Sequence, residues 1–171
     1  MRDETLSGAL EQLVEAGLIF RRGVPPDATY TFKHALIQDA AYETLLRSKR
    51  QQIHLRTAAA LQERFPEEAE TEPEILAHHF TQAGVVEAAV DHWLKAGQIA
   101  AGRSACKEAI AQLSKGLDLL KQLPDNLDRC RRELDLQVAL GGALAVAQGR
   151  AAASTGRAFA RARELCDTNS A

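Results

Sequence analysis

Three histidines and one cysteine are the residues of this chain whose types most resemble a metal site. His78, His79 and His92 fall in one short stretch, and Cys106 follows in the next segment. Imidazole nitrogen and thiolate sulfur are the ligands that zinc prefers in proteins. However, His78 and His79 are adjacent and would point in different directions around a helix, and no regular ligand spacing appears. We therefore predict that these histidines pack half-buried with a polar edge at the surface, and that no metal is bound.

Residues that could act as nucleophiles lack the sequence surroundings that such catalysis requires. No serine lies in a nucleophile-elbow motif, and the phosphate-binding sequence G-x-x-x-x-G-K-S/T is absent. The cysteines Cys106, Cys130 and Cys166 lie in amphipathic helical patterns, in which burial is the ordinary explanation. Their odd number and wide separation are typical of reduced thiols in a cytoplasmic protein. We expect this segment to have no catalytic residue and no cofactor, and hence not to be an enzyme.

Basic residues are densest toward the end of the N-terminal third, and they allow two interpretations. One is a DNA-binding surface, and the other is a solvated helix face. Acidic residues in the same region cancel much of the positive field, and the formal net charge of the chain is −2, so we favour the solvated face and predict no nucleic-acid partner. The basic residues concerned are Arg47, Lys49, Arg50 and Arg56, with Arg21 and Arg22 upstream, and the acidic ones are Glu11, Glu15, Asp39 and Glu43.

The stretch from Pro73 to Ala96 predicts two antiparallel helices joined by a tight turn. Gly84 is placed to end the first helix, because glycine accepts the left-handed conformation of a C-cap. We expect Thr71 to cap that helix together with Glu74. Small residues would let the two backbones approach closely, and large ones would fill the gaps beside that contact. The predicted packing residues are Leu76, Ala77, Phe80, Gly84, Ala89, Trp93 and Ala96.

This pattern resembles the tetratricopeptide repeat, and it continues further along the chain. The spacing recurs from Trp93 and Ala96 to Ala109 and Leu113, so the helix around Trp93 would serve two successive pairs. The proline that usually closes such a repeat is missing near Ala101. The alternative is an ordinary helical hairpin with an alanine-rich seam. Further helices are predicted over residues 104–122, 127–147 and from 152 onward, with breaks at Pro124–Asn126 and Gly149.

The N-terminal region reads helix, strand, turn, strand, helix, an order typical of the wing of a winged-helix fold. The helix covers residues 3–17, and the strands cover 18–20 and 29–32, with Arg21 and Arg22 in the turn. Helices follow over 35–47 and, capped by Ser48, up to Pro66. We expect a partial winged-helix-like module over 1–66, a linker over 67–73 and tetratricopeptide-like repeats over 74–171.

Composition agrees with a mainly α fold made of closely packed helices. Hydrophobic residues make up 46% of the 171 residues, but aromatic ones only 5%, so alanine and leucine supply most of the core. No apolar run approaches the ~20 residues that a membrane-spanning helix needs. We expect a cytoplasmic location, no membrane partner, and a right-handed helical stack whose ends are covered by other protein.

The order of these segments is similar to the region that follows the nucleotide-binding core in STAND signalling ATPases. It most resembles bacterial proteins that join such an ATPase to a class III adenylate or guanylate cyclase, or to a protein kinase. The most specific stretches are Tyr30 to Leu46 and Glu74 to Arg103. The resemblance implies a segment of a longer protein, in which the winged-helix module closes on the nucleotide and the helical repeats sense a ligand or a protein partner.

The resemblance also gives His34 an expected role. In related ATPases a histidine at the corresponding place can contact the β-phosphate of the nucleotide, and an imidazole N–H can donate to a phosphate oxygen. The alternative is that His34 caps the helix beginning at Ala35 or packs beneath the wing.

Overall fold

The computed structural model describes residues 2–169, and the side chains of residues 6–167. It is mainly helical, with 76% helix and a small two-stranded antiparallel sheet. The chain forms two compact units, residues 1–50 and 51–171. The described elements are α1 (Arg2–Glu15), β1 (Ile19–Arg22), β2 (Thr29–Phe32), α2 (Ala35–Glu43), α3 (Arg47–Arg64), α4 (Pro66–Thr71), α5 (Pro73–Ala83), α6 (Val86–Gly102), α7 (Cys106–Leu120), α8 (Leu127–Gln148) and α9 (Ala153–Asn169).

The first unit contains the β-hairpin that the alternating sequence predicts. Strand β1 pairs with β2 from Ile19 opposite Phe32 to Arg22 opposite Thr29. The prediction that Arg21 and Arg22 belong to the turn is wrong, because their pairing extends the ladder and moves the turn to residues 23–28. Ile19 is the one described hydrophobic residue of this unit that is buried. The unit therefore has little core of its own within the part of the chain that the structure describes.

Two predicted helix caps are wrong. Helix α3 already begins at Arg47, so Ser48 lies inside the helix and cannot cap it. Thr71 is the last residue of α4, and its hydroxyl donates to the carbonyl of Glu67 at 3.0 Å. Helix α5 begins after Glu72 without a side-chain cap.

The segment expected to be a linker, residues 67–73, is largely occupied by α4. Pro66 is in the first turn of this helix, where its missing N–H costs nothing, and Glu67 and Glu68 complement the positive end of the helix dipole. These local preferences start a helix directly after α3 ends. The two compact units divide at residue 50, inside α3, rather than near residue 67.

In the second unit, each helix from α5 to α9 packs against the next, and α6 also contacts α8. Gly84 ends α5 with a φ of 79°, the left-handed conformation that glycine adopts at low cost. Helix α6 packs on α5 with one face and on α7 with another, as the recurrence of the pattern predicts. Of the predicted packing residues other than Gly84, all are buried: Leu76, Ala77, Phe80, Ala89, Trp93, Ala96, Ala109 and Leu113.

Trp93 is 5% exposed and links three helices. Its indole Nε1 donates to Thr81 Oγ1 at 3.0 Å, which satisfies the one polar atom of the ring inside the core. The Nζ atom of Lys115 lies 4.5 Å from the ring centroid, within the range of a cation–π contact. Because Thr81 is on α5 and Lys115 on α7, these contacts orient both neighbours around α6.

Glycines bring the later helices close together. A Cβ atom at Gly97 of α6 would lie 2.6 Å from Leu113 Cδ2, and one at Gly116 of α7 would lie 2.9 Å from Leu136 Cδ2. A Cβ at Gly141 of α8 would lie 2.8 Å from the ring of Phe159. Each glycine therefore receives a large side chain from the following helix, and a Cβ at any of the three positions would force that side chain to shift.

We expect Gly97→Ala to destabilise the helical unit by about 1–3 kcal/mol, because the added methyl group overpacks against Leu113. Gly156→Ala is the matched control, since a Cβ at Gly156 meets no atom within 4 Å and alanine favours a helix over glycine by up to about 1 kcal/mol. Urea unfolding followed by the fluorescence of the single tryptophan measures both. Equal stability of the two variants would contradict a close seam at Gly97.

Candidate functional site

In the second unit a groove of about 680 Å³ runs along α8. Most of its wall is apolar, and its polar groups are a carboxylate, an amide and two thiols. We refer to it below as the α8 groove. Its lining residues are Gln98, Ala101, Cys106, Leu134, Asp135, Val138, Ala139, Gly142, Ala143, Val146 and Cys166.

Helix α8 forms the floor of this groove with a face that its neighbours leave uncovered. Val138 is 49% exposed and Val146 is 74% exposed, although both are fully apolar. Gly142 lies between them, one turn from each, and a Cβ there would meet no atom within 4 Å. The opposite side of the same helix buries Leu136 and Leu144. An exposed apolar stripe on a helix that is otherwise packed is typical of a surface that binds protein.

Sequence reasoning did not find this groove. Its lining comes from α6, α8 and the ends of α7 and α9, which only the packing of α6 on α8 brings together. The one available signal was the four-residue spacing of Val138, Gly142 and Val146 on a second face of the long helix. Cys106 and Cys166, predicted to be ordinary buried thiols, both line the groove, and Cys166 is exposed.

The same unit also contains a cluster of three histidines, which joins α3 to α5. The Nδ1 atoms of His54 and His79 lie 2.8 Å apart, so one ring donates a hydrogen bond and the other accepts it. The ring of His78 is 5.8 Å from that of His54 and 5.7 Å from that of His79, between centroids. This arrangement requires that His54 and His79 not both be protonated at Nδ1.

Burial and repulsion between the rings favour the neutral forms of His54 and His79. Desolvation lowers the pKa of His54, with a smaller contribution from His78. Desolvation also lowers the pKa of His79, and the positive charges that His54 and His78 would carry lower it further. Both residues are therefore easier to protonate in the unfolded chain than in the folded one.

The structure does not assemble the set of ligands that the sequence offered for zinc. His92 packs against Phe80, with 5.2 Å between ring centroids, rather than joining His78 and His79. Cys106 lies in the α8 groove. Instead His54 joins the cluster, on the same face of α3 as the buried Ala58 one turn later. Within the described residues, no group of three His, Cys, Asp or Glu side chains has the geometry to hold a metal ion.

His92 is the most enclosed of these imidazoles. Its Nε2 atom is buried and has no hydrogen-bond partner among the described residues. Desolvation lowers the pKa of His92, and Lys95 lowers it further, whereas Asp91 and Glu70 act in the opposite direction. Lys95 itself pairs with Glu70 across α4 and α6.

His34 is the residue before α2 and has extended backbone geometry, with φ −135° and ψ 132°. Its side chain is exposed and makes no capping hydrogen bond, so the alternative in which it caps α2 or packs beneath the wing does not hold. The expected phosphate contact stays a prediction about a longer protein.

Two arginines of the first unit have described side-chain partners. Arg50 stacks over the ring of Tyr42 at 5.0 Å, and Arg21 lies 3.9 Å from Glu11. In the second unit, Arg161 pairs with Glu133 and Glu164, and the hydrogen bonds to these carboxylates raise its pKa.

Among the described residues, no helix is both long and apolar enough to cross a bilayer.

Comparison with known proteins identifies one informative similarity. The chain is 36% identical over 121 residues to an uncharacterised protein of Rhizobium meliloti (strain 1021). The match covers 71% of this chain but only 12% of the relative's length. No protein-family model matches the chain. No solved structure matches it either.

We expect the helical unit to lose stability as the pH falls below about 6.5. His54 and His79 have lowered pKa values in the folded state, so their stabilising contribution is complete above the unfolded pKa of about 6.5 and is lost as the pH falls toward the folded values. Urea midpoints measured by Trp93 fluorescence from pH 8 to 5 follow this loss.

His54→Gln should reduce this dependence on pH, because it removes one of the described imidazoles whose pKa folding lowers, the others being His79 and His92. The matched control is His34→Gln, since His34 is exposed and lies in the other unit. A steep dependence that is the same in His54→Gln and in the wild type would show that the histidine cluster does not cause it.

Proposed function

We propose that this chain is a non-catalytic, regulatory protein-interaction segment of a multidomain signalling ATPase of the STAND type, linked to a nucleotide cyclase or a protein kinase. The observation that carries the interaction role is the α8 groove, an open and largely apolar concavity in a helical array. In this proposal a protein partner occupies the groove. The segment acts in the cytoplasm and needs no cofactor of its own.

The tetratricopeptide-like stack is the architectural part of the proposal. Ala77 and Trp93 are 16 residues apart on α5 and α6, and Gly97 and Leu113 have the same separation on α6 and α7. In the second pair the large residue packs directly on the small one. Repetition of one small-to-large spacing is typical of repeat proteins, whose helices stack in an extended array with a concave binding surface.

The first unit supports docking onto a neighbouring domain. Helix α2 buries none of its residues, and Leu36 is 81% exposed. Leu46 is 77% exposed and Val24, in the hairpin turn, is 79% exposed. Large apolar side chains at such exposure gain stability when another surface covers them. We infer that a nucleotide-binding domain of the same protein covers this unit, as in a partial winged-helix module.

Helix α3 provides a direct connection between the two roles. It begins in the first unit and continues into the second, where Ala58 is fully buried against α5 and α6. In the proposed mechanism, a partner bound to the repeats alters how this helix is held, and the wing module then docks on the nucleotide or leaves it. The relative from Rhizobium meliloti, of which this chain spans 12%, supports a segment embedded in a much longer protein.

The test is nucleotide exchange in the full-length protein that carries this segment. We expect Phe80→Ala, which costs about 3–5 kcal/mol of stability in a packed core, to change the exchange rate of a fluorescent ATP analogue several-fold. Gly156→Ala serves as the control that leaves the fold intact. If the full-length protein does not bind a nucleotide, the ATPase assignment is wrong. If nucleotide exchange is unchanged after the helical unit is lost, the proposed coupling between the repeats and the wing module is wrong.

A second prediction concerns the exposed face of the first unit. Leu36→Ser should change the stability of this chain by less than about 0.5 kcal/mol, because Leu36 is already solvated. In the full-length protein the same change should raise the nucleotide exchange rate, since it weakens docking of the wing module. Leu76→Ser, at a fully packed position, is the contrasting variant, with a large loss of stability by thermal unfolding. Normal exchange with Leu36→Ser would argue against docking through this face.

A further inference from the structure

The α8 groove contains an unfilled position of the same kind that its helices fill elsewhere. Gly97, Gly116 and Gly141 each receive a Leu or Phe side chain from the next helix. Gly142 is adjacent to Gly141 on α8 but faces the groove, and the space above it is empty. Val138 and Val146 form its two sides. Because the other three glycines each face one Leu or Phe side chain, we expect the space over Gly142 to fit one large apolar side chain as well.

The lining of the groove favours a helical occupant over an extended one. Helices form its walls, so their backbone N–H and C=O groups are already paired and offer an extended peptide no strand to join. Among the described residues of the wall, the polar side chains other than the two thiols are Gln98 and Asp135. An extended segment would bury unsatisfied backbone groups there, at a cost of about 1–3 kcal/mol each. A helix satisfies its backbone internally.

Charge at one end of the groove specifies the occupant further. Asp135 is exposed on the wall, and within the described part of the chain it has no hydrogen-bond or ion-pair partner. It precedes Gly142 by seven residues, which is two turns, or about 10 Å along α8. The lining from Leu134 to Val146 extends over about 18 Å, the length of roughly twelve helical residues.

We propose that the α8 groove binds an amphipathic helix of a partner protein, with a Leu, Phe or Met side chain over Gly142 and a Lys or Arg about seven residues away that pairs with Asp135. This inference rests on the proposed interaction function and specifies its partner. The contact is a helix laid in a hydrophobic groove, with its apolar anchor at a glycine and its register set by one ion pair.

The test uses a displayed library of random 16-residue peptides, selected on the intact chain. We expect the enriched peptides to carry a large apolar residue and a basic residue seven positions apart, on a helical apolar face. A synthetic copy of the strongest binder should become helical on binding, as measured by circular dichroism. It should also slow alkylation of Cys106, which lines the groove, but not of Cys130, which does not.

Three variants of the chain localise the binding. Gly142→Leu fills the gap and should weaken the peptide at least tenfold in fluorescence anisotropy, whereas Gly156→Leu, an exposed glycine outside the groove, should leave affinity unchanged. Asp135→Lys should weaken the peptide about tenfold, and replacing the basic residue of the peptide by Glu should restore binding to that variant.

The outcomes separate this inference from the proposed function. Peptides that bind in a Gly142-dependent way but stay extended would overturn the helix assignment, and helical binders that lack the basic residue would overturn the pairing with Asp135. Either result would leave an interaction groove. Absence of any Gly142-dependent binder would overturn both. A dimer of the chain alone in analytical ultracentrifugation that Gly142→Leu dissociates would overturn the partner assignment, because a second copy would then be the occupant.

Discussion

The structure of the helical unit depends on helix backbones that approach one another at positions without a side chain, or with only a methyl group. Ala77, Ala89 and Ala96 are fully buried or nearly so between α5 and α6. In the later helices glycine takes over this role, because Leu113 and Phe159 occupy the space where a Cβ would be. Dispersion contacts increase when side chains interdigitate at this distance. The arrangement of the stack follows from where these small residues fall.

Close contacts between helices at alanine and glycine positions explain how a chain with few aromatic residues forms a packed core. Trp93 is the one tryptophan, and it satisfies its indole N–H through Thr81 while filling the gap beside Ala77 and Ala89. A buried indole without that partner would lose the free energy of a hydrogen bond to water. The pairing therefore fixes the orientation of the ring as well as its burial. Helix α6 becomes the element on which both of its neighbours are positioned.

Two surfaces of the chain expose large apolar side chains to solvent. Helix α2 and the hairpin turn present Leu36 and Val24 to solvent, and α8 presents Val138 and Val146. The two surfaces differ in character, since the second is concave and has a glycine at its centre. Few polar groups of the described residues converge in either place, and the histidine cluster joins α3 to α5. These features are the basis of the proposal that the chain recognises other protein surfaces.

The sequence by itself determined the features that local interactions control. Helices end or separate at Gly84, Pro124 and Gly149, because the backbone preferences of glycine and proline are properties of the residues themselves. The β-branched and aromatic residues of Thr29–Phe32 likewise favour a strand locally. Helical periodicity also identified the buried positions from Leu76 to Leu113. The tetratricopeptide-like stack, the ATPase context and the role of His34 stay predictions.

Only the tertiary structure decided which distant residues meet. The neighbour of His79 is His54 and not the predicted His92, because α3 lies against α5. Nothing near His54 in the sequence indicates that contact. The α8 groove depends on the packing of α6 on α8, which brings Cys106 and Cys166 to one wall. Thr71 and Ser48 are residue types that often cap helices, but α4 still includes Thr71 and α3 already includes Ser48. Contacts between elements depend on crossing geometry, which a one-dimensional pattern does not contain.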